Sequence, residues 1–195
     1  PACQYAVNHD IEVVLPEARK ASILYDSTLA VSSADYDAGL RTVEEARGGG
    51  RLYYRDIPLY ATEGRRDQPV YGAAVDIGTT TAVVYLADLT THTVIDVESF
   101  INPQTQYAHD VVGRIHYITR TSGGLEELRG LLVEVLSERL TAVCERHGVE
   151  PARVVKMAVV GNPTMLHILA GVAPGSIATA PYAPVFTERM TLRGA

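Results

Sequence analysis

Two apolar runs with almost no chain between them constrain this sequence more than any other feature. Val70–Ile77 and Thr81–Asp88 are built largely from β-branched and small apolar residues, and only Gly78, Thr79 and Thr80 separate them. Residues of that kind favour strands, and so short a connection makes the two strands an antiparallel hairpin. The turn carries more polar groups than a hairpin needs. Asp76 precedes it, Gly78 opens it, and Thr79, Thr80 and Thr81 follow in succession. Consecutive backbone N–H groups in a turn form a concave anion site, and glycine allows close approach of the backbone to a ligand. A carboxylate beside a phosphate is repelled unless a cation lies between them. Asp76 is therefore expected to face Mg²⁺ through water, because Mg²⁺ keeps part of its hydration shell. The competing reading is a plain hairpin whose threonines serve only β propensity.

The pattern downstream sets this hairpin in a sheet. Thr93–Phe100 reads as a third strand, and Asn102-Pro103-Gln104 breaks the chain. Asp110–Thr119 has helical spacing, with Val111, Ile115 and Ile118 on one face. Leu125–His147 is a long amphipathic helix with Leu128, Leu131, Leu132, Val135, Leu136, Leu140 and Val143 as its stripe, and Gly148 stands where a terminal glycine belongs. Val154–Val160 is a fourth strand. Pro163 opens a helix that Gly171 closes. Three strands on short turns, then one reached across helices, predict an α/β fold: a ribonuclease-H-like mixed sheet with helices.

The first third of the chain is less regular. Residues 11–15 read as a short strand, Asp35 to Ala46 as a helix ended by Gly48-Gly49-Gly50, and Leu52-Tyr53-Tyr54 as a short strand. The polar stretch Glu63–Pro69 is the expected domain boundary.

Composition excludes several classes of function. With 47% apolar residues the chain is able to bury a core. Its net charge is −6 with acids and bases interspersed, and the lack of a basic stripe argues against nucleic acid as partner. No apolar run approaches the roughly 20 residues of a membrane span, and no signal peptide is expected from residues 1–20. Cys3 and Cys144 make no disulfide framework, so a cytoplasmic protein is expected. The missing initiator methionine and the uncapped C-terminus lead to the expectation of an internal piece of a longer protein.

Asp76-Ile77-Gly78-Thr79-Thr80-Thr81 resembles the first phosphate motif of the actin, sugar-kinase and heat-shock-chaperone ATPases. Further motifs narrow the likeness: Tyr71-Gly72-Ala73-Ala74-Val75 ahead of it, Asn102-Pro103-Gln104, Asp110–Ile115, Val160–His167, and Ala180-Pro181-Tyr182-Ala183-Pro184. Together, over about residues 70 to 186, they resemble the reductive activators of corrinoid proteins, which carry a ferredoxin-like domain before the ATPase domain. The resemblance implies ATP-dependent reduction of cob(II)alamin to cob(I)alamin on a corrinoid methyl-carrier protein, with electrons arriving through the ferredoxin-like domain. It divides the chain into 1–18, the edge of that domain; 19–69, a linker or shortened middle region; and 70–195, the first lobe of an actin-like ATPase domain. Family members often have Gly-Ala-Asp where this chain has Ala108-His109-Asp110.

The resemblance also assigns candidate residues. Asp76 and Asp110 are the catalytic candidates, with Asp76 as the water-mediated Mg²⁺ ligand and Asp110 positioning water or metal beside the nucleotide cleft. Gly78, Thr79, Thr80, Thr81, Gly161 and Asn162 are the candidates for ATP. Asn162 is also expected to cap the following helix. Cys3 is similar to the fourth ligand of a plant-type [2Fe–2S] cluster, whose other three cysteines would lie upstream. Against these stand plainer roles: a free cysteine for Cys3, a surface ion pair for Asp110 and Arg114 four residues apart, and core packing for Cys144; Asn102 and Gln104 either contact ligand or shape the turn before the helix, and the turn is the expected role. His109, His116 and His167 lack metal-ligand spacing and are read as structural. Two other functions remain open on this sequence: a small-molecule kinase of the same superfamily, or a nucleotide-sensing interaction module without turnover.

Overall fold

The computed structural model describes residues 40–44, 50–54, 57–61 and 69–192. The expected boundary at Glu63–Pro69 and the strand at residues 11–15 lie outside them, apart from Pro69, as does Cys3. Strands β1 (Leu40–Glu44), β2 (Gly50–Tyr54) and β3 (Ile57–Ala61) form an antiparallel sheet in that order. The helix expected through Ala46 is thus corrected where it can be seen: Leu40–Glu44 is a strand, paired residue by residue from Leu40 opposite Tyr54 to Glu44 opposite Gly50. Ladder bonds to a neighbouring strand override a local helical pattern.

The main body follows the expected element order. Strands β4 (Tyr71–Ile77), β5 (Thr81–Asp88) and β6 (Thr93–Ile101) run as a meander. A short 3-10 turn, Pro103–Gln106, leads into helices α1 (Val111–Arg120) and α2 (Gly124–Arg146). Strand β7 (Val154–Gly161) follows, then α3 (Pro163–Ala170) and the single turn α4 (Gly175–Ala178). The sheet order is β6-β5-β4-β7, with β7 parallel to β4 and the other pairings antiparallel. This is the mixed sheet with helices predicted from the sequence.

One face of the sheet makes the core. Val75, Ile77, Ala82, Val84 and Phe100 pack against Leu128, Leu132 and Leu136 of α2 and Met165 and Ile168 of α3. Leu86 closes a second cluster with Val143, Cys144 and Val149. Cys144 is fully buried, as its packing role predicts, and burial pushes its thiol pKa up. Side chains alternate along a strand, so Ala74 and Asp76 of β4 point away from that core and are exposed.

The helix ends follow local chemistry. Asp110 caps α1 by accepting the Gly113 N–H at 2.7 Å. Asn162 caps α3 by accepting the Met165 N–H at 3.0 Å. Gly171 ends α3 in the left-handed region at φ 71°, a conformation that favours glycine. Among the described residues no helix is long and apolar enough to cross a membrane.

Candidate functional site

The hairpin turn sits where the C-terminal ends of the parallel strands β4 and β7 meet. Ile77 pairs with Gly161, so Gly78 and Asn162 emerge side by side. Ligands of α/β folds gather at such strand ends. Both glycines are demanded by close approach to backbone. A Cβ on Gly78 would lie 2.5 Å from the Thr81 carbonyl oxygen, and one on Gly161 would lie 2.8 Å from the Ile77 carbonyl oxygen.

The turn is held from behind by its carbonyls. The Asn102 side-chain amide donates to the Gly78 carbonyl at 2.8 Å, and the Asn102 backbone N–H donates to the Thr80 carbonyl at 2.8 Å. Between them, the Arg114 guanidinium donates to the Thr79 carbonyl at 2.5 Å. In a planar trans peptide the C=O and the next N–H point in opposite directions. Engaging the Gly78 and Thr79 carbonyls from the core side therefore turns the Thr79 and Thr80 N–H groups outward. Neither of these N–H groups meets an acceptor among the described residues. The Asn162 side-chain amide adds a bond to the Thr79 hydroxyl at 3.0 Å.

The residues behind the turn form a closed polar unit. Asn102, Gln104 and Arg114 are all fully buried. Asn102 caps the 3-10 turn by accepting the Gln104 N–H at 3.0 Å, which bears out its expected turn role. Gln104 donates to the Leu128 carbonyl at 3.0 Å and accepts from Arg114 at 3.1 Å. Arg114 also donates to the Ala108 carbonyl at 3.1 Å, and its guanidinium lies 3.0 Å from the Met165 sulfur. No buried side-chain nitrogen or oxygen among the described residues lacks a partner.

This geometry corrects the reading of Asp110 and Arg114 as a surface ion pair. Asp110 is exposed and serves as the α1 cap, whereas Arg114 is buried against neutral acceptors. Burial pushes the Arg114 pKa below its ordinary value, while the nearby Asp110 carboxylate acts in the opposite direction. A signal was present: Arg114 falls between Val111 and Ile118, beside Ile115, on the apolar stripe of its helix.

The other candidates separate clearly. Asp76 is exposed on the open face of β4, two residues before the turn and opposite Val83 on β5 and Val160 on β7. Thr80 is exposed, while Thr79 and Thr81 are half-buried. His109 and His116 are exposed. His167 is fully buried, hydrogen-bonded to the Pro163 carbonyl at 2.7 Å and to the Val185 N–H at 3.0 Å. It also stacks on Phe186 with ring centroids 4.2 Å apart. Among the described residues, no group of three or more histidine, cysteine or acidic side chains is placed to hold a metal. A groove of about 450 Å³ on the outer side of α2, lined by Glu134, Ser137, Glu138, Thr141, Ala142 and Glu145, shares no residue with the turn.

Residues 71–195 match the family described as the RACo middle region. The chain belongs to that family. It is 29% identical over 135 residues to the corrinoid activation enzyme RamQ of Eubacterium limosum, a match covering 69% of this chain and 23% of RamQ. The solved structure of a reductive activator for corrinoid, iron-sulfur protein matches with a TM-score of 0.64 at 34% identity, over 70% of this chain and 22% of that one. The RACo middle region match begins at the first residue of β4 and takes in the turn, its buried support and β7. In both comparisons this chain spans less than a quarter of the other protein's length.

Proposed function

We propose that this chain supplies the phosphate-binding lobe of an ATP-dependent reductive activator, which returns cob(II)alamin to cob(I)alamin on a corrinoid methyl-carrier protein. The observation that carries the phosphate role is the capture of the Gly78 and Thr79 carbonyls from the core side, with the Thr79 and Thr80 N–H groups left facing outward. Oriented donors of this kind suit an anion, and they need no rearrangement when it arrives. The corrinoid role is supported by membership of the RACo middle region family and by the relatives' names.

In this reading Thr79, Thr80 and Thr81 with Gly78 receive the phosphates of ATP, and Asn162 orients the Thr79 hydroxyl. Gly161 keeps β7 close enough to β4 to bring Asn162 there. Asp76 fits Mg²⁺ held through water, since a single exposed carboxylate suits an ion whose remaining ligands are phosphate and water. When bound, that ion neutralises phosphate charge. Asp110 spends one oxygen on the α1 cap and keeps the other for a water at the cleft. The reduction itself takes one electron from a low-potential donor, delivered through the ferredoxin-like domain, with Cys3 as the fourth [2Fe–2S] ligand. The setting is the cytoplasm.

The test uses the full-length protein with its corrinoid protein, a reduced electron donor and MgATP. ATP-dependent growth of cob(I)alamin absorbance is expected. No gain over an ATP-free control would overturn the activation reading.

A further inference from the structure

We infer that Arg114 is a positioning residue for the phosphate turn, acting through the Thr79 carbonyl. This rests on the phosphate reading of the turn and goes beyond it. Arg114 lies on α1, 35 residues from Thr79 in sequence, and its side chain is 0% exposed. All three of its nitrogens are engaged: Nε on the Ala108 carbonyl, one terminal nitrogen on Gln104 Oε1 and the Met165 sulfur, and the other on the Thr79 carbonyl.

The chemistry of the pocket separates positioning from mere packing. A buried charge is costly unless paired, and among the described residues no carboxylate forms an ion pair with Arg114. Its acceptors are two carbonyls, an amide oxygen and a thioether. An apolar side chain would leave these buried acceptors unpaired, but a neutral donor would satisfy them without the cost of a buried charge. What the guanidinium adds is direction and sign. Its rigid fork fixes the Thr79 carbonyl in one orientation, and the opposed Thr80 N–H is then fixed as well. The cation lies at the carbonyl end of the Thr79–Thr80 peptide, so it polarises that N–H toward an anion on the outer side. Gln104 holds the fork in register, because its other end is anchored on the Leu128 carbonyl of α2.

Arg114→Gln removes the charge and the fork, Arg114→Lys keeps the charge without the fork, and Gln104→Met leaves both in place but removes their anchor on the Leu128 carbonyl. In the full-length protein, Arg114→Gln should raise KM for ATP about tenfold with a smaller loss of kcat. Arg114→Lys should fall between Arg114→Gln and the unaltered protein, and Gln104→Met should raise KM by roughly threefold. Leu132→Ala, a core truncation away from the turn, should lower the melting temperature and leave KM unchanged. If Arg114→Gln does not fold, Gln104→Met carries the test. Unchanged KM in a folded Arg114→Gln, or in Gln104→Met when Arg114→Gln does not fold, overturns the positioning role. KM rising equally in Leu132→Ala also overturns it, because the effect is then general destabilisation. The phosphate reading fails separately, if the unaltered protein neither binds nor hydrolyses ATP.

Discussion

The Asn162 side-chain amide lies 3.0 Å from the Thr79 hydroxyl, although 83 residues separate them in sequence. The same side chain caps α3 through its oxygen. One residue therefore starts a helix with one end and steadies the β4–β5 turn with the other.

Serine and alanine at this position separate the two tasks. Asn162→Ser keeps a cap and loses the amide donor, whereas Asn162→Ala loses both. Loss of the cap costs about 1 kcal/mol, so thermal unfolding should be nearly unchanged in the serine variant and clearly lowered in the alanine variant. ATP affinity of the full-length protein should fall to a similar extent in both. Full affinity in Asn162→Ser would show that the Thr79 contact is idle.

Asp76 is exposed, so its replacement should cost little stability. In the full-length protein, Asp76→Asn is expected to abolish most Mg²⁺-dependent phosphate release. The substitution preserves size and removes the charge proposed to face the ion. Turnover equal to that of the unaltered protein would refute the metal role.

Glycines offer a contrast of sign. Gly161→Ala places a methyl 2.8 Å from the Ile77 carbonyl oxygen, a backbone atom that cannot swing away. Overpacking of this kind costs roughly 1–3 kcal/mol, read as a lower denaturation midpoint. Gly130→Ala, in the middle of α2 with nothing within 4 Å of its Cβ, should instead stabilise by about 0.5–1 kcal/mol through helix propensity.

Two phenols share one carboxylate at the start of α2. Tyr117 donates to Glu127 at 2.6 Å and Tyr107 at 2.8 Å. These bonds, Tyr117 first and Tyr107 second, hold the Glu127 pKa below its ordinary value. The Tyr117 pKa is pushed up to about 12, chiefly by its bond to Glu127. A depressed carboxylate stabilises the fold at neutral pH, and that contribution is lost as pH falls through its folded pKa. A raised phenol stabilises below the unfolded tyrosine pKa, near 10, and that contribution is lost as pH rises through about 12. Tyr117→Phe should move the Glu127 titration upward, as followed by carboxyl NMR shifts. A Glu127 titration that does not move would rule out the phenol as the cause.

His167 joins α3 to the segment that follows it, accepting the Val185 N–H through Nε2 at 3.0 Å. His167→Phe keeps a ring to stack on Phe186 and leaves that N–H without its acceptor. Amide exchange at Val185 should accelerate, while exchange in β4 and β5 stays slow. Unaltered protection at Val185 would show that the histidine is only a packing residue.

Sequence alone determined the features that depend on near neighbours. The β4–β5 hairpin follows from two apolar runs on a short turn. The stripe of α2 follows from helical spacing, and its Leu128, Leu132, Leu136 and Val143 are buried as expected. The Asn162 cap and the Gly171 stop are matters of three or four residues each. Tertiary structure decided what depends on distant ones. Leu40–Glu44 lies in a stretch that reads locally as a helix but becomes a strand because β2 supplies its hydrogen-bond partners. Arg114 stands four residues after Asp110, which reads locally as an ion pair on a helix surface. Its actual partners are brought together from residues 79, 104, 108 and 165. Spacing along a helix reports which residues share a face. Whether a charge on that face meets water or a set of carbonyls is decided only when the sheet and α3 close over it.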